Sequence, residues 1–297
     1  MLKQKPRNSL AAQYRKRSPL GEFWYRFSQN KGAVVGLVIV VLLILIALFA
    51  DVIFDYDKDI CGYVMKDRNS TPSLKYPFGT DNMGRNLFYR VLYGTKYSML
   101  IGVSVLAFTF AIGLPIGAIC GYYGGKVDLF VMRIFNIIGS IPSLLLGIIV
   151  VSAFGQEIWV LVIALGISRI GGIAGVARTA VMTVRTAEYL ESARAIGMKD
   201  MRIIFKHVLP NCLAPIIVEA TLGLGGAIIA CSSLSFLGLG VPIPTPEWGA
   251  LLSDGRASIA MYPHITLFPG LAIMVSVLAL NLVGDGLRDV LDPKMKK

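Results

Sequence analysis

Residues 188–210 read EYLESARAIGMKDMRIIFKHVLP, and where this stretch lies decides the fold. It is charged and helix-forming, in a chain of 297 residues that is 55% hydrophobic and only 16% charged. Mean hydropathy is +0.66. Soluble domains carry about 25% charged residues, so the chain reads as a polytopic membrane protein. A polar segment between two apolar ones then sits on one membrane face or the other, and the number of spans before it decides which.

A helix needs about 20 mostly apolar residues to cross the hydrocarbon core. Ala33–Ala50 is an unbroken run of 18 apolar residues. Residues 97–125 and 134–156 are charge-free and long enough. The 158–180 stretch is weaker, because Arg169 interrupts it and Gly171, Gly172 and Gly175 thin it. Glu219 lies inside the run 212–231, and a last span starts near Ile265 within 257–284. The expected spans are therefore near 33–53, 97–121, 134–156, 158–180, 212–231 and 265–284. With all six and a cytoplasmic N-terminus, the inside segments hold 20 of the 29 Lys and Arg and the outside segments 8, with Arg169 in the membrane. Without the fourth span, the stretch 178–207 and its six Lys and Arg would lie outside, against the positive-inside rule. The expectation is an all-α membrane protein with six transmembrane helices and both termini cytoplasmic. It has an external loop 54–96 and a cytoplasmic loop 183–210. The same bias accounts for the net charge of +11, which in a soluble protein would suggest nucleic acid. The expected surroundings are a lipid bilayer, with no nucleic-acid partner.

Residues 1–32 form a basic tail. Phe23, Trp24 and Phe27 beside Arg26 and Lys31 suit a short interfacial helix; a disordered tail is the alternative. The apolar run after it exceeds a signal-peptide core, and no small-x-small cleavage site precedes Asp51. It reads as a span.

Gly113, Gly117 and Gly121 form one smooth stripe on the second span, which lets another helix come close. Gly171 and Gly175 repeat the device on the fourth, and Pro115 is expected to kink the second. Arg169 and Glu219 are the two ionisable residues inside spans, where such groups are costly and often functional. Both lie at similar depth, so they read as an ion pair or as groups lining a pathway. The four cysteines (Cys61, Cys120, Cys212, Cys231) have no metal-site spacing. Three sit in apolar stretches as packing residues.

No catalytic or phosphate-binding motif stands out. Gly121–Val127 is a near miss for a phosphate loop: its glycines are one residue too close, and Val127 replaces the Ser or Thr that would hold magnesium. His207 and His264 belong to no metal motif. The chain is not expected to be an enzyme or to bind a cofactor, so its energy comes from a partner or an ion gradient.

The 188–210 segment reads as helix, turn, helix. Thr186 is the expected cap of the first helix, with Glu188 in its first turn. Glu191 can reach Arg194, and Leu190, Ala193 and Ile196 share an apolar face. Gly197 permits the sharp exit. Asp200 is the expected cap of the second helix, and Pro210 ends it. Small residues at Ala193 and Gly197 let another protein surface approach; a solvated amphipathic loop is the plain alternative.

At these residues the chain resembles the inner-membrane permeases of dipeptide, oligopeptide and nickel ABC importers, in particular the second of their two permeases. Their EAA motif is matched by Glu191-Ser192-Ala193, Gly197 and Leu209-Pro210, with Ser192 in place of the first Ala. His207 through Asn211 has the form usual in the peptide and nickel branch. Gly79-Thr80-Asp81, Gly84-Arg85, Arg90, Gly94 and Ser98 resemble a second family segment, from which Asn86, Tyr89 and Lys96 depart. Ser235–Gly240 with Pro242 and Trp248-Gly249 resembles a third. Phe268-Pro269-Gly270 and Asn281–Pro293 resemble the C-terminal signature. A family Arg three residues before Arg178 is Gly175 here.

The resemblance implies a type I ABC importer permease of the bacterial cytoplasmic membrane. It implies a heterodimer with a homologous second permease, two ABC ATPase subunits that carry ATP and Mg, and an extracellular solute-binding protein. Glu188, Glu191, Ala193, Arg194, Gly197, His207, Leu209 and Pro210 would couple it to an ATPase. Peptides are the implied cargo, since no His- or Cys-lined path argues for nickel. A nickel permease is the alternative, and an ion-coupled secondary transporter is the reading from a different class.

Overall fold

A computed structural model describes residues 18–291. The tail before Ser18 and the last residues of the C-terminal signature, Asp292 and Pro293, lie outside the described residues. Helices account for nearly all regular structure, with one isolated bridge between Thr80 and Asn86.

Helix α1 (Pro19–Gln29) begins where Ser18 Oγ accepts from Gly21 N and Pro19 presets the first turn. Asn30 ends it and caps the next, accepting from Ala33 N at 3.1 Å. Phe27 is buried while Leu20 and Trp24 are exposed. This amphipathic helix stands where the interfacial helix is expected. Helix α2 (Lys31–Ile53) is apolar around most of its circumference, with one side packed on other helices and the other exposed.

The second long helix, α3 (Leu87–Tyr123), has 37 residues. At 1.5 Å per residue it is about 55 Å long, well beyond a hydrocarbon core of about 30 Å. Part of it therefore stands outside the membrane. It continues through Pro115 without interruption of the helix.

The third span differs from the expected single helix over 134–156. Helix α4 (Gly125–Gly139) and helix α5 (Ser143–Phe154) meet at an 80° bend. The cause is local: Pro142 biases Ile141 away from helical backbone, and Gly139 lowers helix propensity just before it. Among the described residues five helices are thus long and apolar enough to cross a membrane, and the bent pair makes a sixth candidate.

Helix α6 (Ile158–Val184) packs against α3 through the glycine stripe. A Cβ at Gly117 would lie 2.3 Å from Ala174 O; one at Gly113 would lie 2.9 Å from Ile170 O, and one at Gly121 2.6 Å from Arg178 O. Contact recurs every fourth residue on both helices, so only glycine permits the backbones this close. Gly171 faces Phe135 of α4 instead. Helix α7 (Glu188–Ala195) and the single turn α8 (Asp200–Ile203) follow. A π turn (Ile204–Val208) and a 3-10 turn (Leu209–Cys212) then lead into α9 (Leu213–Phe236). Helix α10 (Trp248–Gly255) precedes the last helix, α11 (His264–Leu291), which packs on α2 and α9.

Cys120, Cys212 and Cys231 are buried and free, and Cys61 is half-buried and free. The segment Gly79–Ser98 forms a buried clamp. Asp81 Oδ2 accepts from Arg85 Nε at 2.6 Å and from Arg90 Nη1 at 2.5 Å, and Asp254 of α10 lies 3.2 Å from Arg85 Nη2. Arg90 also donates to Pro244 O. Gly94 packs against Pro246 O, and Ser98 Oγ accepts from Trp248 N at 3.2 Å. The residues of this family-like segment are thus joined to the stretch 244–254.

Candidate functional site

The 188–210 segment stands on a buried apolar foot. Leu190, Ala193, Ile203, Ile204, Val208 and Leu209 pack with Ala118 and Tyr122 of α3 and with Ala180 and Val181 of α6. Ile196, expected on the same face, is 77% exposed. The backbone turns at Gly197, one step after it.

Polar contacts fix the segment to the end of α3. Asp200 does not cap its own helix; Lys199 holds that position. Its carboxylate accepts instead from Tyr122 Oη at 2.8 Å and from Tyr123 Oη at 3.2 Å. Arg194 Nε donates to Tyr122 Oη at 3.2 Å and its guanidinium lies 5.2 Å from the Tyr122 ring centroid. The expected Glu191–Arg194 contact is not among the ion pairs of the described residues, because Tyr122 draws the guanidinium away. The cap of α7 is Ala187 rather than Thr186, with no side-chain cap bond.

Gly197 has φ +77°, the left-handed region that glycine adopts freely. Its N–H reaches Arg194 O at 2.9 Å, and Met198 N reaches Ala193 O at 3.2 Å. Together these close the helix end in the manner of a glycine cap. A Cβ here would meet nothing within 4 Å, so the site opens outward. The second half is continuous with α9. Pro210 lacks an N–H, and Asn211 Nδ2 satisfies His207 O at 2.6 Å. His207 is half-buried, and its Nε2 has no hydrogen-bond partner among the described residues. Pro210 is exposed and Leu209 buried.

The exposed surface of the segment carries Glu188, Glu191, Arg194 and Gly197. Between them stand Tyr189, Ile196, Met201 and Phe205, all exposed large hydrophobics. The segment thus presents apolar and charged side chains side by side. Beneath it, Arg178 of α6 grips Asp128 of α4 with both Nε and Nη2, and Arg185 Nη1 donates to Gly121 O at 3.2 Å.

The sequence alone does not single out Tyr122, Tyr123 or Asp128. The two tyrosines were legible only as the interior of the failed phosphate loop. Their position at the end of a long span, one stride from a polar segment, was the available signal.

Arg169 and Glu219 do not form the expected ion pair. Arg169 Nη2 donates to Gly223 O at 3.0 Å, and its guanidinium lies over the bare backbone of Gly223 and Gly226. Two glycines on one face of α9 leave the room that draws it past Glu219. Among the described residues no cluster of three or more His, Cys, Asp or Glu gathers as a metal site.

A bundle of apolar helices long enough to cross a membrane, joined by an exposed helical segment, defines a polytopic membrane protein. The comparisons give the class a family. Residues 113–297, more than half of the chain, match the family described as binding-protein-dependent transport system inner membrane component. Residues 18–74 match the N-terminal TM domain of oligopeptide transport permease C. The chain is 43% identical to the dipeptide transport system permease protein DppC of Alkalihalophilus pseudofirmus, over 96% of this chain and 93% of that one. It is likewise 43% identical to the glutathione transport system permease protein GsiD of Escherichia coli, over 94% and 92%. The fold matches the MetNI methionine ABC transporter, solved in inward-facing conformations, with TM-score 0.57 and 20% identity over 69% of this chain and 98% of that one. The chain belongs to the binding-protein-dependent transport system inner membrane components, and its fold is that of a type I ABC importer permease.

Proposed function

We propose that this chain is the permease subunit of an ATP-driven importer that passes di- or oligopeptides delivered by an extracellular binding protein. It pairs with a homologous second permease, and two ATPase subunits carrying ATP and Mg dock below. The assembly sits in the bacterial cytoplasmic membrane with both termini of this chain inside. The peptide assignment follows the dipeptide and glutathione transport named for its relatives.

The observation that carries the reading is the exposed apolar and charged face of 188–205, set on a foot continuous with α9. A clamped helical element running straight into a span transmits a push as a lever does. Glu188, Glu191, Ala193, Arg194, Gly197, His207, Leu209 and Pro210 form or shape that element. ATP binding closes the ATPase pair, moves the foot, and biases which membrane side is open.

The test is uptake of a labelled dipeptide into proteoliposomes that hold the four-subunit complex, with the binding protein added outside. ATP-dependent uptake of peptide, and none of nickel, is the expected result. Uptake that needs no ATPase subunits overturns the reading.

A further inference from the structure

Helix α1 carries one apolar face. Leu20, Phe23, Trp24 and Phe27 recur at the spacing of a single side of a helix, and Phe27 stacks on both Phe23 and Trp24. The rest of its surface is mostly polar, and its two charges, Glu22 and Arg26, pair with each other.

The direction of the apolar face is fixed at one end. Phe27 is buried, and its ring lies 3.0 Å from the position a Cβ at Gly286 of α11 would take, beside Ala33 of α2. Asn30 Nδ2 also donates to Asp289 Oδ2 at 3.2 Å. Ala33 lies in the first turn of α2 and Gly286 near the end of α11, so Phe27 points from the rim of the bundle toward its apolar interior. Asn30 leaves helical backbone at φ −84°, ψ 94°, so α1 is not an extension of α2. Leu20 and Trp24 share the face of Phe27, yet they are 82% and 55% exposed.

Charge says what covers them. Residues 1–17 include Lys3, Lys5, Arg7, Arg15, Lys16 and Arg17 and no Asp or Glu. Three of these directly precede the Ser18 cap, and Lys31, exposed, follows the helix. Cations before a helix N-terminus oppose its dipole, so the cluster does not steady α1. The positive-inside rule accounts for the sign of the tail, but not for a cluster that borders an apolar face aimed at the membrane. Basic clusters beside a span are drawn to anionic leaflets, and an apolar helix face sinks to the acyl boundary. A surface with phosphate outside and acyl chains beneath matches both features.

We infer that α1 and the basic residues before it dock on the anionic phospholipids of the bilayer surface, with Leu20 and Trp24 among the acyl chains and Arg15, Lys16 and Arg17 at the headgroup phosphates. The inference needs α2 to enter the bilayer at its Lys31 end and does not depend on the cargo. Because Phe27 and Asn30 tie α1 to Gly286 and Asp289, the lipid surface also holds the end of α11.

The test is quenching of Trp24 emission by brominated lipid. The full-length chain, with the subunits that co-purify with it, is placed in nanodiscs of phosphatidylcholine and phosphatidylglycerol in which one or the other lipid is brominated. The Trp24 signal is the part of the emission lost in Trp24→Leu, which keeps the face apolar and leaves Trp159 and Trp248 in place. Brominated phosphatidylglycerol is expected to quench that signal about threefold more than brominated phosphatidylcholine at equal mole fraction. The preference vanishes in about 1 M salt, where the Debye length is about 3 Å, and in the triple variant Arg15→Gln, Lys16→Gln, Arg17→Gln, while both lipids still quench. If that variant inserts in the reverse sense, the salt series on wild-type protein still decides. Equal quenching by the two lipids overturns anionic docking, and so does a preference that survives high salt. A Trp24 that neither lipid quenches overturns it as well, because a protein surface then covers the face. None of these outcomes bears on peptide uptake, so the functional reading stands or falls by its own test.

Discussion

At the residue scale, Gly197 and Asp200 divide the work of the exposed segment. Gly197 turns the chain at φ +77° with nothing of this chain around its Cβ. A valine there costs about 1–2 kcal/mol of backbone strain and projects a side chain into the open space beside the segment. Gly197→Val is expected to abolish peptide uptake while the protein still inserts and co-purifies with the second permease; undiminished uptake refutes the coupling role. Asp200 accepts from two tyrosines, one of them buried. Asp200→Ala leaves the Tyr122 hydroxyl without its acceptor, at about 1–3 kcal/mol. Amide hydrogen exchange across 188–205 should then rise while that of α3 and α6 stays constant. Equal protection in wild type and variant would show that the apolar foot alone holds the segment. Gly197 was legible in the sequence because a helix end needs a left-handed residue. The role of Asp200 was not, because a carboxylate at a helix start serves its own backbone unless a neighbour offers stronger donors.

Among the elements, α3 and α6 meet backbone to backbone, and glycine spacing every fourth residue announced it. Gly117→Leu drives a side chain into Ala174 O, which a Cβ alone would approach to 2.3 Å. The expected cost is about 3 kcal/mol or more, read as a lower midpoint of thermal unfolding in detergent. Gly175→Leu, whose Cβ would meet only Met132 Cε at 3.9 Å, should cost far less. The two glycines look alike in the sequence, and only the packing separates them. The bend between α4 and α5 escaped for a different reason. Hydropathy counts apolar residues and is blind to direction, so a broken span and a straight one score alike. The Ile141-Pro142 step was the signal for the break.

For the whole molecule, the buried clamp of Asp81, Arg85, Arg90 and Asp254 joins the loop after α2 to α3 and α10. Burial pushes the Asp81 carboxyl up, but the Arg90 and Arg85 guanidiniums outweigh it and hold the group below the ordinary 3.8. Burial raises that of Asp254 against the same arginines. The signs differ. Asp81 contributes stability above pH 3.8, and that contribution is lost as pH falls through its lowered value. Asp254 disfavours folding when charged, so its protonation on mild acidification adds stability. Asp81→Asn strands two arginines with one carboxylate and is expected to cost about 3–5 kcal/mol at neutral pH. The gap between wild type and Asp81→Asn should close below pH 3.8, where protonated Asp81 resembles Asn. A gap that persists there would mean the charge is not what the clamp uses.

The sequence by itself determined that the chain is a bundle of apolar spans, and it singled out the exposed polar segment and the glycine stripe. These depend on composition and spacing along one chain, and neighbours in space do not alter them. The tertiary structure alone decided that Asp200 and Arg194 turn to Tyr122, and that Arg169 passes Glu219 for a glycine carbonyl. A polar side chain takes the best partner within reach, and reach is set by which helix faces are pressed together. Periodicity along one helix records that it has a face, but not what stands opposite.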